Sequence, residues 1–163
     1  MWKKLFQSGS IKANTNTSSA PAQVKQIKGE SVQYLIVRQD LQMSPGKMAA
    51  QSAHAAVASS MVFFSASRRI INPQSIEKYR EAAEHWMGSS FAKVILRVKN
   101  REQMIKLFKD LDECELPYAP IFDACRTELE PEEANGSTLT CCGIVPIFRS
   151  EAPKCLQKLQ VYK

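Results

Sequence analysis

The sequence predicts an α/β sandwich, one sheet covered by helices on both sides. Short apolar runs alternate along the chain with longer helix-like segments, the pattern of a layered α/β domain. The first run, Tyr34-Leu35-Ile36-Val37, is apolar at every position, as expected of a strand covered on both faces. Hydrophobic residues make up 44% of the 163 residues, enough for one substantial core.

The elements follow in order. Residues 1–30 read as a flexible basic arm, with Ala13 to Gln23 rich in Asn, Thr, Ser and Ala and little to bury. Met1 to Phe6 is apolar and basic and could touch a membrane or belong to an import signal, although it lacks Arg. A single domain is expected over 31–163. Leu41 to Gly46 forms a turn, with Pro45 suited to helix entry. Lys47 to about Ser65 is Ala-rich without internal Gly or Pro and predicts a helix. Pro73 to Met87 predicts a second helix, stopped by Gly88. Ala92 to Val98 is the second strand. Asn100 with Gln103 resembles a capping box, opening a helix whose Met104, Leu107, Phe108 and Leu111 share a face. Tyr118 to Asp123 and Thr138 to Val145 complete four strands. The loop between them, Ala124 to Ser137, is long and acidic, and loops of that length in compact domains are often functional.

Charge and cysteine content narrow the classes. The net charge is +6. Lys3, Lys4, Lys12, Lys25 and Lys28 face no acid within residues 1–29, so the domain itself is nearly neutral. A basic tail serves solubility or loose polyanion contact and does not by itself imply nucleic-acid binding. No apolar run approaches the roughly 20 residues of a membrane span. The cysteines, Cys114, Cys125, Cys141, Cys142 and Cys155, are odd in number and lack zinc-site spacing. They read as reduced thiols in a reducing compartment. The cytoplasm is expected, with the mitochondrion as alternative. No metal and no cofactor are expected.

Two clusters carry chemistry. On the first helix Lys47, Gln51 and His54 fall within about 60° of one another. The remaining positions are mostly Ala, Ser, Met, Val and Phe, which predicts a helix buried almost throughout, with one polar stripe near its start. Buried polar groups need partners, and a helix start attracts anions; a stripe facing water is the plain alternative. The second cluster is Asp123-Ala124-Cys125-Arg126-Thr127. Asp123 ends an apolar strand, and ligands in α/β sheets gather at strand ends; an Asp that merely caps the loop is the plain alternative. Thr138 and Thr140 open the next strand, where β-propensity alone would place them.

Together these residues resemble a family. Arg38-Gln39-Asp40-Leu41-Gln42-Met43-Ser44-Pro45-Gly46-Lys47, then Ala49-Ala50-Gln51 and His54-Ala55-Ala56, resemble the opening of the archaeal and eukaryotic-type peptidyl-tRNA hydrolases. Asp123-Ala124 with Arg126-Thr127, and Thr140 with Gly143-Ile144 and Pro146, resemble two later signatures of that family. Order and spacing agree across roughly residues 33–148. The resemblance implies metal-independent hydrolysis of the ester joining a peptide to the terminal ribose of tRNA. It implies a four-stranded mixed sheet flanked by helices in a three-layer sandwich, and a homodimer. Lys47, Asp123, Thr127 and Thr140 fall on the family's functional positions, and His54 on a recurrent polar one. With Gln51, Arg126 and Thr138 they make the candidate site, the last three and His54 serving substrate binding. The chain departs from the family at Cys125 and Val145, where Gly is usual, at Ser44-Pro45, and in a slightly longer loop before Thr140.

A mechanism on these residues needs an oriented water and a donor for the oxyanion. Asp123 would position water or substrate, Lys47 would stabilise negative charge, and Thr127 and Thr140 would hold the water or ribose. A nucleophilic Cys125 has no neighbouring His in the sequence to activate it. The rivals are a module that holds tRNA or RNA without cleaving it, and an adaptor that binds protein on the same fold.

Overall fold

The computed structural model describes residues 29–64 and 70–163. The basic arm over 1–28, including Met1 to Phe6, lies outside the described residues. The domain opens with β1 (Ser31–Arg38), buried at all eight positions. Helix α1 (Pro45–Ser60) follows, continued by a 3-10 turn at Met61–Phe63. A second 3-10 segment, Pro73–Tyr79, leads into α2 (Arg80–Gly88). Then come β2 (Lys93–Val98), α3 (Arg101–Glu113), β3 (Tyr118–Asp123), β4 (Thr138–Ile144) and β5 (Ile147–Phe148). Helix α4 (Lys154–Gln157) and β6 (Gln160–Val161) end the chain.

The sheet order is β3-β4-β1-β2-β6, with β5 paired to β1. β1 and β2 are parallel, and every other pairing is antiparallel. The expected α/β architecture with a mixed sheet is present. Its count of four strands is corrected to six, because β5 and β6 are two-residue strands too short to show a period. β5 continues the line of β4: Gly143 pairs Leu35 and Ile147 pairs Val32. Four steps on one strand thus match three on the other, a bulge at Val145-Pro146.

Helix starts follow their caps. Ser44 Oγ accepts the Lys47 N–H and Pro45 opens α1 with its φ preset. Asn100 caps α3 by accepting the Gln103 N–H. Gln103 reaches back to the Lys99 N–H, one residue before the usual partner. Met104, Leu107 and Leu111 of α3 are buried, and Phe108 stacks on Tyr118 with centroids 4.8 Å apart. The second helix differs from expectation: its first half is the 3-10 segment, and Gly88 is its last residue rather than its stop.

Helix α1 also differs. It buries Gln51, Ser52, Ala55, Ala58 and Ser59 against the sheet, while Ala49, Ala50, Ala53, His54 and Val57 are exposed. Its Ala content reflects close packing on one side only. Gly143 shows how close: a Cβ there would sit 2.1 Å from the Ala55 carbonyl oxygen. Only glycine lets the helix rest on β4 at this point.

Candidate active site

The register places the site. β3 ends at Asp123 opposite Thr138, the first residue of β4. The start of α1 stands over this edge, and α1 packs on β4, β3 and β1. Lys47, in the first turn of α1, therefore meets Asp123, the last residue of β3.

Asp123 is the hub. Its Oδ2 is 2.7 Å from Lys47 Nζ and accepts a 2.7 Å hydrogen bond from Gln51 Nε2. Its Oδ1 accepts the Cys125 N–H at 2.9 Å. Burial opposes ionisation and is the largest single influence on this carboxyl. The bonds from Lys47, Cys125 and Gln51, with the Lys47 charge, together outweigh it and hold the pKa below the ordinary value. Both partners are mostly covered, Lys47 at 14% and Asp123 at 12% side-chain exposure, so solvent screens the pair weakly.

The network extends both ways. Outward, Lys47 Nζ donates to Thr127 Oγ1 at 3.1 Å, and Thr127 is exposed. Inward, the Thr140 hydroxyl donates to Gln51 Oε1 at 2.7 Å, and Thr140 is fully buried. Gln51 thus has its amide orientation set by Thr140 and presents its NH2 to Asp123. An ammonium has three donors, of which the Lys47 contacts with Asp123 and Thr127 use two.

The remaining expected residues lie apart. His54 is on the outer face of α1 and makes no hydrogen bond or ion pair among the described residues. Arg126 is exposed beside the cluster. Thr138 is fully buried and closes the loop: its hydroxyl donates to the Glu130 carbonyl at 2.6 Å and accepts the Glu132 N–H at 3.0 Å.

Two groups that hold the site were not singled out from the sequence. Arg38, 1% exposed, binds Asp40, Glu132 and the Leu139 carbonyl, which ties the loop after β3 to the end of β1. Burial lowers its pKa, but Glu132 and Asp40 reverse that and raise it. Glu128 accepts the Ser44 N–H at 2.8 Å, so the same loop is fastened to the start of α1. The signals were present in the Arg-x-Asp motif and the acidic loop, but pairing across 94 residues leaves no local trace. Cys141 and Cys142 are buried, their thiols raised by desolvation, Cys141 to about 12. Among the described residues no group of three His, Cys, Asp or Glu is placed to hold a metal, and no helix is long and apolar enough to cross a membrane.

A partly buried carboxylate–ammonium pair at a strand-end edge, backed by an amide and fronted by an exposed hydroxyl, defines a polar site suited to an acyl group. The family model for peptidyl-tRNA hydrolase PTH2 matches residues 31–162, and the chain belongs to that family. Proteins named peptidyl-tRNA hydrolase are similar over most of the domain. That of Sulfolobus acidocaldarius is 37% identical over 112 residues, 69% of this chain and 83% of the relative. That of Methanococcus vannielii is 30% identical over 129 residues, 79% of this chain and 97% of the relative. That of Saccharolobus solfataricus is 36% identical over 112 residues, 69% and 82% of the two chains.

Proposed function

We propose that the protein hydrolyses the ester of peptidyl-tRNA at the Lys47–Asp123 cluster, releasing peptide and free tRNA. The observation that carries the reading is the ion pair itself, with one Lys47 donor left over and directed by two fixed neighbours. As water adds to the ester carbonyl, negative charge grows on the carbonyl oxygen, and the third Lys47 N–H would receive it. Asp123 holds Lys47 in place and keeps a lone pair on Oδ1 for the attacking water. The depressed pKa makes Asp123 a weak base, so its part is orientation and charge more than proton removal. The tetrahedral intermediate collapses by expelling the ribose oxygen, which takes up the proton released by the water. Thr127 accepts from Lys47 and so has its own O–H free to donate to the ribose or the water. Thr140, enclosed behind Gln51, is a positioning residue rather than a contact. Arg126 and His54 are exposed and free to meet the tRNA.

The test is release of peptide from labelled peptidyl-tRNA by the purified protein without added metal. Asp123→Asn and Lys47→Ala are each expected to slow it on the order of a hundredfold or more while thermal unfolding shows a folded domain. The rate of the parent should hold on the acid side through the ordinary carboxylate range, since Asp123 stays ionised to below its ordinary value. An acid limb near neutrality would contradict the assignment of Asp123, and full activity in either variant would remove that residue from the site. Binding of tRNA without turnover would leave a binding module on the same fold.

A further inference from the structure

The ends of β1, β2 and β3 share one edge of the sheet with the start of β4, because β1 and β2 are parallel and β4 runs against β1 and β3. The site occupies the β3–β4 end of this edge. At the other end β2 meets β6, with Arg97 opposite Gln160. A surface recess of about 200 Å³ opens there, lined by Arg97, Lys99 and Lys158 together with Gln39, Gln103 and Gln160. None of its lining residues is acidic.

The charge balance sets this recess apart. Along the rest of the edge Lys47 is matched by Asp123, Arg38 by Asp40 and Glu132, and Arg101 by Glu133; Arg126, exposed beside the site, has no such partner among the described residues. Lys99 and Lys158 are exposed and form no ion pair among the described residues. Arg97 donates to the Gln160 side chain, which fixes the wall between β2 and β6. The recess is smaller than the roughly 300–1,000 Å³ of a drug-sized ligand site. It suits one anionic group carried on a larger molecule. Arg, two ammonium groups and amide donors together match the oxygens of a phosphate diester.

Position completes the argument. From β3 to β2 is three strand spacings, about 14 Å. A polyanion whose reactive end sits at Lys47–Asp123 and whose backbone follows the sheet edge reaches the recess within a few nucleotides.

We propose that the Arg97–Lys99–Lys158 recess binds a backbone phosphate of the RNA substrate, a few nucleotides away from the ester. This rests on reading the Lys47–Asp123 cluster as the site of ester hydrolysis on tRNA. The recess adds affinity for the polynucleotide and takes no part in the chemistry.

The experiment uses the full chain with Lys99→Gln/Lys158→Gln, and Lys78→Gln/Lys109→Gln as a control that removes equal charge elsewhere. All four lysines are exposed, so both variants should stay folded. Binding of uncharged tRNA is measured over a range of salt concentrations. The slope of log K against log salt should become shallower by up to about 0.7–0.9, the value for one phosphate, in the first variant and stay unchanged in the control. KM for peptidyl-tRNA should rise about tenfold with kcat constant. Hydrolysis of an N-acetylaminoacyl ester of adenosine, which carries no backbone phosphate, should be unaffected. An unchanged slope overturns the proposal, as does equal weakening by the control pair or an equal loss on the adenosine ester. A parent protein that hydrolyses neither ester defeats the hydrolase reading, and the salt slope still decides the phosphate site.

Discussion

Single residues show where this chain departs from its family and what each departure costs. Cys125 and Val145 both stand where the family resemblance implies Gly, yet their backbones differ. Cys125 has φ +52, the left-handed region, where a side chain costs about 1–2 kcal/mol. Its N–H is committed to Asp123 Oδ1, so the turn that imposes this φ also shapes the site. Val145 is fully buried and has no positive φ; its side chain fills core space at the bulge. The two changes therefore make different predictions. Cys125→Gly should be tolerated, with Tm held or raised and peptidyl-tRNA hydrolysis retained. Cys125→Val puts a β-branched side chain at positive φ, and chemical denaturation should show it less stable than the parent. If Cys125→Val is as stable as the parent, the left-handed turn is not what holds this position. The same residue explains how far the sequence could be read. A Gly-usual position suggests positive φ, which Cys125 bears out and Val145 does not, since close packing also selects for Gly.

At the scale of elements, the contact of α1 with β4 transmits fold into chemistry. Lys47 and Gln51 reach Asp123 only because α1 lies close on the sheet, and Gly143 beneath Ala55 permits that approach. Gly143→Ala would place a Cβ against backbone, which cannot rotate away, so the helix must lift. Overpacking of this kind costs about 1–3 kcal/mol, a fall in Tm on the order of 5 °C for a domain of this size. Because α1 carries two of the three groups around Asp123, hydrolysis should fall more than stability alone explains, measured at a temperature where the variant is folded. A variant with parent Tm and rate would show that α1 adjusts freely. The elements themselves differed in legibility for physical reasons. The apolar run of β1, the cap of α3 and the bounds of β3 all have local causes. The two-residue strands and the four-residue α4 are held by partners far along the chain. The outer face of α1 was misread because Ala suits burial and exposure alike. Angular spacing makes His54 a neighbour of Lys47 and Gln51, but does not say where the sheet lies; the boundary falls between Gln51, which is buried, and His54, which is exposed.

At the scale of the molecule, charge is arranged along an axis. The site and the Arg97–Lys99–Lys158 recess lie at the edge where β1 ends, whereas the chain enters β1 at Ser31, seven residues back. That is about 23 Å at the rise of a strand. The 28 residues before Gly29, fully extended, span at most about 95 Å, enough to reach either edge. Lys3, Lys4, Lys12, Lys25 and Lys28 lie in this stretch without an acid among them, while the domain is close to neutral. We infer that the stretch adds sequence-independent attraction for RNA and no specificity, since attachment at the far edge gives it no fixed relation to the ester. Replacing the five lysines by glutamine should then flatten the salt dependence of tRNA binding by up to about 3.5–4.5 in slope. The kcat should not change, nor should hydrolysis of the adenosine ester. The effect should add to that of Lys99→Gln/Lys158→Gln, because independent phosphate contacts release their counterions independently. An unchanged slope would assign the basic stretch to a task other than RNA capture. A loss of kcat would mean that it reaches the ester after all and belongs to the active site.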